Sequence, residues 1–283
     1  MTSAVIRCGA CGSAVDVVGS SAACICGRTQ YSLVDGIYVR EGLETDQESE
    51  MLVRDLQADG YLKHDKFPTQ IASFDRWLKQ IVATVGNTGL GDAIEGRTKI
   101  ALDLGCGPGP YTKKLQDLGF HVVAIDFSAK SLRINAHICK EGVTIPTFLQ
   151  ENLNDLALVE NSIDMVVMAD FLQHLGGRGN RERLLREVFK ALRKGGPFYL
   201  SFFNLNIKNY IKSDVHGGFA NGKIRYERLA VKNVISDFPA DILVDRVLPM
   251  NVVHGARLDR LLGALPLALY LSRMVMVTGR KNS

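Results

Sequence analysis

The stretch ALDLGCGPGPYTKKL, residues 101–115, decides the fold. An apolar strand ends at Asp103, and a turn that contains Gly105, Gly107 and Gly109 follows it. The turn leads into a helix, whose first N–H groups have no partner within the helix. A side chain at these glycines would block a ligand that lies against the backbone, or would forbid the φ values of the turn. The stretch therefore predicts a strand, a glycine loop and a helix that bind a cofactor together.

The spacing of the glycines separates two classes of cofactor. The dinucleotide-binding fingerprint G-x-G-x-x-G would place its third glycine at position 110, which is Pro110. Here the spacing is G-x-G-x-G, and the carboxylate of Asp103 stands two positions before Gly105. A carboxylate at a strand end favours a positively charged ligand group over a pyrophosphate. The loop is therefore predicted to bind a ligand that carries an amino group and a sulfonium.

A second carboxylate ends the next predicted strand. The segment HVVAIDFS places Asp126 19 positions after Gly107. At that place a carboxylate can accept hydrogen bonds from both hydroxyls of a ribose. It can instead serve as a turn residue or as the N-cap of the following helix. The glycine loop upstream favours the ribose interpretation.

From Lys99 onward, apolar strands alternate with helices, which is typical of a parallel sheet covered on both faces. The clearest helix is 181–193, with Asn180 as its expected N-cap. The polar, glycine-containing stretch 204–240 is interpreted as an insertion or lid. The predicted strands are 99–104, 120–125, 145–149, 163–169, 197–203, 242–248 and 273–279, and two helices are predicted before them, at 47–63 and 68–84.

Residues 99–203, and more loosely the chain to 281, resemble the class I S-adenosylmethionine-dependent methyltransferases. The resemblance rests on the turn DLGCGPG, the acidic end of the second strand, and the segments FLQENLNDL and NSIDMVVMADFLQHL. It implies an α/β, Rossmann-like, seven-stranded sheet whose last strand is antiparallel, and the terminal RMVMVTGRK suits that strand. It also implies S-adenosyl-L-methionine as the cofactor and methyl transfer as the reaction.

The resemblance assigns cofactor contacts to residues that follow the strands. Asn152 stands where the family usually has an acid, and its amide oxygen can still accept a hydrogen bond from the adenine amino group. The assigned residues are Asp103, Gly105 and Gly107 beside the methionine part, Asp126 at the ribose, Asn152 and Leu153 at the adenine, Ala169 and Asp170 at the sulfonium, and Cys106, Gly109 and Phe127 as further cofactor contacts.

Four of the six cysteines cluster near the N-terminus: Cys8, Cys11, Cys24 and Cys26. Two short knuckles of this kind suit a tetrahedral zinc ion with four thiolates, which would be structural because no position stays open. The segment resembles the zinc ribbons that accompany methyltransferases, either fused to them or as partner subunits. The second knuckle is C-x-C where C-x2-C is usual, which strains four-thiolate geometry and leaves open a site that has lost its metal.

The predicted domains are the zinc-ribbon module 1–42, a segment of helices and linker 43–97, and the methyltransferase domain 98–283 with its insertion. Because the domain 98–283 has its own hydrophobic interior, we expect Cys8→Ser to unfold the module and to leave cofactor binding largely intact. The composition, with 46% hydrophobic and 23% charged residues, is ordinary for a globular protein. The longest apolar stretch, LLGALPLALYL, is far shorter than the roughly 20 residues that span a bilayer. We therefore expect a cytoplasmic protein without a membrane partner.

Three functions fit these patterns. The favoured one is methyl transfer to a small-molecule acceptor enclosed by residues 204–240, with His174 as the candidate general base; packing against the sheet is the alternative role for His174. The second is an RNA-modifying methyltransferase, because residues 181–283 hold 18 Lys and Arg against 8 Asp and Glu, a net charge of +10. The third, a cofactor-binding protein without methylating activity, has no motif in its favour.

Overall fold

The computed structural model describes residues 5–15, 21–42, 51–56, 58, 68–85, 98–142, 144–220, 224–252, 261–265 and 267–282. Several predicted features fall partly or wholly outside these ranges, among them the module 1–42, of which residues 5–15 and 21–42 are described, and the insertion 204–240, of which residues 204–220 and 224–240 are described. Of the helix predicted at 47–63, residues 51–56 and 58 are described and are helical. The predicted linker at 86–97 lies wholly outside the described residues.

Short strands at the N-terminus precede an alternation of strands and helices. The strands are β1 (Ile6–Arg7), β2 (Ala14–Val15), β3 (Ser21–Ala23), β4 (Gln30–Val34), β5 (Ile37–Arg40), β6 (Ile100–Leu104), β7 (His121–Asp126), β8 (Thr147–Gln150), β9 (Met165–Ala169), β10 (Pro197–Phe203), β11 (Gly218–Ala220), β12 (Ile224–Tyr226), β13 (Ile242–Met250) and β14 (Met274–Lys281). The labelled helices are α1 (Pro68–Val85), α2 (Pro110–Asp117), α3 (Ala129–Cys139), α4 (Arg178–Ala191), α5 (Ile207–Ile211), α6 (Val231–Ser236) and α7 (Ala268–Leu271).

The central sheet has the predicted Rossmann-like arrangement. Seven neighbouring strands lie in the order β13-β14-β10-β9-β6-β7-β8. The pairs from β10 through β9, β6 and β7 to β8 are parallel, whereas β14 is antiparallel to both β10 and β13. The predicted antiparallel last strand is therefore confirmed. With this topology, the carboxyl ends of β6, β7, β8 and β9 meet at one edge of the sheet.

Continuous apolar strands put a hydrophobic core on each face of this sheet. Every residue of β6 is buried. Because side chains alternate along a strand, Leu102 and Leu104 join a core that includes Leu185 of α4, while Ala101 joins the opposite core with Leu115 of α2. Asp103 shares the face of Ala101, which directs its carboxylate toward α2.

The N-terminal strands extend the same sheet. Strand β5 pairs in parallel with β8, through Tyr38 opposite Leu149 and Val39 opposite Gln150. Strands β4 and β3 continue outward from β5, which gives a sheet of ten strands. The segment predicted as the zinc-ribbon module, residues 1–42 and called the cysteine module below, is therefore hydrogen-bonded through β5 to the edge of the core sheet.

The helices largely follow the predicted positions. Helix α4 begins at Arg178, with Gly177 at its N-cap, so the predicted capping role of Asn180 is wrong. The Asn180 side chain instead donates hydrogen bonds to the carbonyls of Leu175 and Gly176, at 3.1 and 2.9 Å. Among the described residues, no helix combines the length and the apolar character needed to cross a bilayer.

Candidate cofactor and active site

The glycine loop joins the end of β6 to the start of α2. Gly105, Gly107 and Gly109 have positive φ values of 63°, 51° and 95°. A Cβ on Gly109 would lie 2.1 Å from the side-chain oxygen of Asn135, so packing within the protein already requires glycine there. A Cβ on Gly107 would meet no described atom within 4 Å. The backbone at Gly107 is therefore open to the close approach of a ligand.

Asp103 is fully buried on β6, beside this loop. Its Oδ2 accepts a hydrogen bond of 2.6 Å from the Thr112 hydroxyl, while its Oδ1 has no hydrogen-bond partner among the described residues. Burial raises the pKa of Asp103 to about 7, although the bond from Thr112 acts in the opposite direction. A buried oxygen without a partner is costly, and a cationic ligand group would satisfy it. Asp103 therefore fits the amino group of an amino-acid-like ligand.

Asp126 ends β7 and holds the neighbouring loops through its carboxylate. Its Oδ2 accepts a hydrogen bond from the Gly107 N–H at 2.8 Å, and its Oδ1 accepts one from the Ser128 N–H at 2.9 Å. Burial raises the pKa of Asp126, and these two bonds oppose the rise. The N-cap of α3 is Ser128, which accepts a hydrogen bond from the Ser131 N–H. Asp126 therefore ties the end of β7 to the glycine loop, and each carboxylate oxygen keeps a free lone pair for a ligand hydroxyl.

Two other predicted contacts flank these carboxylates. Cys106 is buried within a hydrophobic core, and burial raises the pKa of its thiol. Its N–H donates to the Ile125 carbonyl at 3.1 Å, so Cys106 supports the loop through its backbone. Phe127 is half-buried, and its carbonyl accepts a hydrogen bond from the Gln150 side chain at 3.0 Å. Both residues lie at the same edge as Asp126.

The loop after β8 carries the residues predicted to flank an adenine. Asn152 Oδ1 accepts a hydrogen bond from the Asn154 N–H at 3.0 Å, and one lone pair of this oxygen remains for a ligand donor. Leu153 is partly buried against a hydrophobic core. The signal missed in the sequence lies one residue earlier, at Glu151, whose carboxylate is buried beneath this loop.

The end of β9 carries Ala169 and Asp170, which were predicted to face a sulfonium. Ala169 is buried, and Asp170 has a positive φ of 59°, a strained backbone value for this residue type. Asp170 Oδ1 accepts a hydrogen bond from the Ser201 hydroxyl. Burial raises the pKa of Asp170 to about 6, and the bond from Ser201 opposes the rise. A half-buried carboxylate on a strained turn is typical of a functional site.

His174 lies in the short 3-10 helix Leu172–His174, just after β9. Its Nδ1 is 2.6 Å from the carbonyl oxygen of Arg225 on β12. A carbonyl oxygen only accepts, so Nδ1 carries the proton, and Nε2 accepts a hydrogen bond from the side-chain amide of Gln173 at 3.3 Å. Burial lowers the pKa of His174 to about 4. The ring is therefore neutral at physiological pH and can accept a proton at Nε2.

The four N-terminal cysteines converge. The Sγ atoms of Cys8, Cys11, Cys24 and Cys26 all lie within 4.8 Å of one another. Four thiolates around one zinc ion, each at about 2.3 Å, would lie about 3.8 Å apart, and the Cys8–Cys26 separation is 3.7 Å. A hydrogen bond from the Thr29 hydroxyl lowers the pKa of Cys8 to about 5, which favours the thiolate. The two sulfurs of the C-x-C knuckle, Cys24 and Cys26, are closer, at 3.0 Å, so this knuckle would have to open for the four sulfurs to hold a tetrahedral zinc ion.

Comparison with known proteins finds relatives of the segment that contains this site. Residues 102–200 match the family model of a methyltransferase domain. That segment covers 99 of the 283 residues. A ubiquinone biosynthesis O-methyltransferase from Cupriavidus pinatubonensis is 27% identical over 164 residues, which are 55% of this chain and 64% of that protein. One from Caulobacter vibrioides is 31% identical over 111 residues, 38% of this chain and 42% of that protein. The chain thus matches less than two thirds of the length of either relative.

Solved structures share the fold at low sequence identity. The N-methyltransferase NodS from Bradyrhizobium japonicum, solved with S-adenosyl-L-homocysteine, aligns with a TM-score of 0.55 at 15% identity and covers 84% of this chain and 100% of its own. A protein from Pyrococcus horikoshii aligns with a TM-score of 0.54 at 15% identity, over 77% of this chain and 92% of its own. The methyltransferase-like fold is thus confirmed.

Proposed function

We propose that this protein transfers a methyl group from S-adenosyl-L-methionine to a small organic acceptor. One observation carries the proposal: an open glycine backbone at Gly107, the unpaired buried oxygen of Asp103 and the carboxylate of Asp126 lie together where β6 and β7 end. These groups match a ligand that has a cationic amino group and a ribose. A pyrophosphate would be repelled by both carboxylates.

Specific residues are proposed to bind each part of the cofactor. Asp103 attracts the amino group, Asp126 accepts hydrogen bonds from the ribose hydroxyls, and Asn152 with Leu153 borders the adenine. When bound, the cofactor supplies an electrophilic methyl group on a sulfonium, and Asp170 stands on the strand end beside that region. Methyl transfer is an in-line displacement, so holding the acceptor in line with the methyl group contributes much of the rate.

The proposed acceptor is a hydroxyl group, and His174 is its general base. Support comes from the neutral ring, whose Nδ1–H is held by the Arg225 carbonyl. Its Nε2 accepts a hydrogen bond from the Gln173 amide at 3.3 Å, and an acceptor hydroxyl would have to displace that amide to pass its proton to Nε2. The relatives named above are O-methyltransferases of ubiquinone biosynthesis, which act on a small-molecule pathway. They lend no support to an RNA acceptor.

The insertion 204–240 is proposed to enclose the acceptor. It contacts the His174 segment twice: through the Arg225 carbonyl on β12, and through the N–H of Glu227 just after β12, which donates to the Gln173 carbonyl at 2.8 Å. A segment fixed over the base can exclude water from the reacting groups. The division into a zinc-ribbon module, a linking segment and a methyltransferase domain stays a proposal, as does a structural zinc ion at the four cysteines.

Isothermal calorimetry on the wild-type protein tests the cofactor assignment. We expect S-adenosylmethionine and S-adenosylhomocysteine to bind and NAD(H) not to compete with them. Binding of NAD(H) at the same site, or no binding of either adenosyl ligand, would overturn the proposed function. A screen with methyl-labelled cofactor against small-molecule and RNA pools then identifies the acceptor class.

We expect the affinity for S-adenosylhomocysteine to fall as the pH is lowered from 8 to 6. The pKa of Asp103 is raised to about 7, so the carboxyl is ionised above that pH and loses its charge below it. A neutral carboxyl attracts the ligand amino group less, and one coupled proton limits the change to about tenfold per pH unit. Calorimetry at several pH values measures this change. The Asp103→Asn variant should bind weakly with little dependence on pH; a wild-type pH profile in that variant would contradict the assignment.

We expect His174→Ala to lower kcat about a hundredfold and to leave the dissociation constant of the cofactor unchanged. General bases contribute about 10²- to 10⁴-fold, and the low pKa of His174 makes it a weak base, at the lower end of that range. Because the His174 ring stays neutral from pH 8 to 5, its titration should not change the wild-type kcat over that range. The kcat should fall near pH 4, where the ring becomes protonated. The exposed His137 on α3 provides the control variant His137→Ala. Equal kcat values in the two variants would remove His174 from the mechanism.

A further inference from the structure

Glu151 joins the cysteine module to the loop proposed to hold the adenine. It follows β8 directly and is 2% exposed. Its Oε2 accepts a hydrogen bond from the Tyr31 hydroxyl at 2.7 Å, and its Oε1 accepts bonds from Arg40 at 2.7 Å and from the Asn152 N–H at 2.9 Å. Its own N–H donates to the Asp126 carbonyl at 3.1 Å. The Glu151 side chain therefore contacts two module strands and the backbone of Asn152, and the Glu151 backbone contacts the backbone of Asp126.

The module side of this contact leads back to the cysteines. Tyr31 lies on β4 and is 1% exposed, and burial raises the pKa of its hydroxyl, so this hydroxyl remains a donor. Thr29, two residues earlier, donates a hydrogen bond to Cys8 Sγ at 3.2 Å. Strand β5, which carries Arg40, is itself paired with β8. Contacts therefore run without interruption from the cysteine cluster to the loop after β8.

We propose that Glu151 is a positioning residue for the adenine end of the cofactor, and that the cysteine module holds it in place through Tyr31 and Arg40. The inference rests on the proposed function. Two donors from the module, Tyr31 and Arg40, hold the Glu151 carboxylate in one orientation. The Asn152 N–H donates to this carboxylate, so the backbone of the adenine loop is fixed at that point. This contact argues against the expected independence of the module, because disordering it would release Glu151 and the adenine loop.

The Tyr31→Phe variant removes the hydroxyl and keeps the ring in the core. We expect it to bind S-adenosylhomocysteine about tenfold more weakly, the effect of leaving one buried carboxylate oxygen without its donor. It should also discriminate less between S-adenosylhomocysteine and S-inosylhomocysteine, which differ only at the edge of the base. The control is Ser32→Ala on the same strand, which removes a hydrogen bond to the exposed side chain of Glu41. The control should match the wild type in both measurements.

Calorimetry below the unfolding temperatures of all variants separates positioning from stability. A lower unfolding midpoint in Tyr31→Phe, with unchanged affinity and unchanged discrimination between the two ligands, would overturn the proposal. Glu151→Gln keeps one oxygen for the Asn152 N–H and should bind more tightly than Glu151→Ala; equal affinity of these two variants would also count against positioning. If the wild-type protein binds neither ligand, the proposed function fails first. If the wild-type protein binds S-adenosylhomocysteine and the variants bind it with the same affinity and discrimination, the proposed function stands and only the positioning role fails.

Discussion

S-adenosylhomocysteine is expected to bind the Asp126→Ala variant about a thousandfold more weakly than the wild-type protein. Two ribose hydroxyls each lose a charge-assisted hydrogen bond worth about 2 kcal/mol, and about 4 kcal/mol corresponds to three orders of magnitude. The substitution also frees the N–H groups of Gly107 and Ser128, which the carboxylate now holds at 2.8 and 2.9 Å. The glycine loop then loses the contact that fixes its open backbone beside the ligand.

Calorimetry with matched variants isolates the role of this carboxylate. Asp117→Ala removes an exposed acid on α2, whose side chain pairs with Lys113, and should leave the affinity unchanged. Asp126→Asn keeps one acceptor oxygen and should fall between the wild type and the alanine variant. An Asp126→Ala variant that binds S-adenosylhomocysteine as tightly as Asp117→Ala would contradict the ribose assignment.

Local sequence patterns predicted the core sheet well. The run IALDL is apolar apart from one acid, and it forms the fully buried β6 at 100–104 against a predicted 99–104. The strand predicted at 197–203 has the same bounds in the structure. These strands are long, apolar and bounded by glycine, so local preference and burial favour the same conformation. The candidate cofactor residues follow from this, because each stands at the end of a predicted parallel strand or in the loop after it.

Other features depend on partners far away in the sequence. The pairing of β5 with β8 joins residues about 110 positions apart through two residue pairs, Tyr38 with Leu149 and Val39 with Gln150. No local pattern in a short strand specifies which edge it joins, and the same holds for the bond from Tyr31 to Glu151. The start of α4 was missed for a different reason: Gly176 and Gly177 adopt positive φ values that begin the helix before Asn180 can cap it.

The largest structural change is expected from Cys8→Ser. We expect one zinc ion per wild-type chain and almost none in this variant, because a serine hydroxyl is a poor zinc ligand. Structural zinc sites contribute about 10 kcal/mol or more, which is comparable to the stability of a whole domain. Residues 5–42 should therefore lose their strands, and the contact from Tyr31 to Glu151 should be lost with them. Mass spectrometry of the metal and hydrogen exchange of the module measure these two changes.

The control for this experiment is Cys139→Ser. Cys139 is another buried cysteine, on α3, and its thiol donates to the Asn135 side chain at 3.4 Å, a bond that a hydroxyl can replace. It lies outside the four-cysteine cluster, so this variant should keep its zinc and its exchange protection in residues 5–42. Wild-type protein purified without chelator that contains no metal would contradict the zinc proposal. Equal metal content in the two variants would show that Cys8 is not a ligand. A Cys8→Ser variant that loses zinc but keeps the wild-type affinity for S-adenosylhomocysteine would support the zinc site. The same result would contradict the proposal that the cysteine module positions the adenine loop.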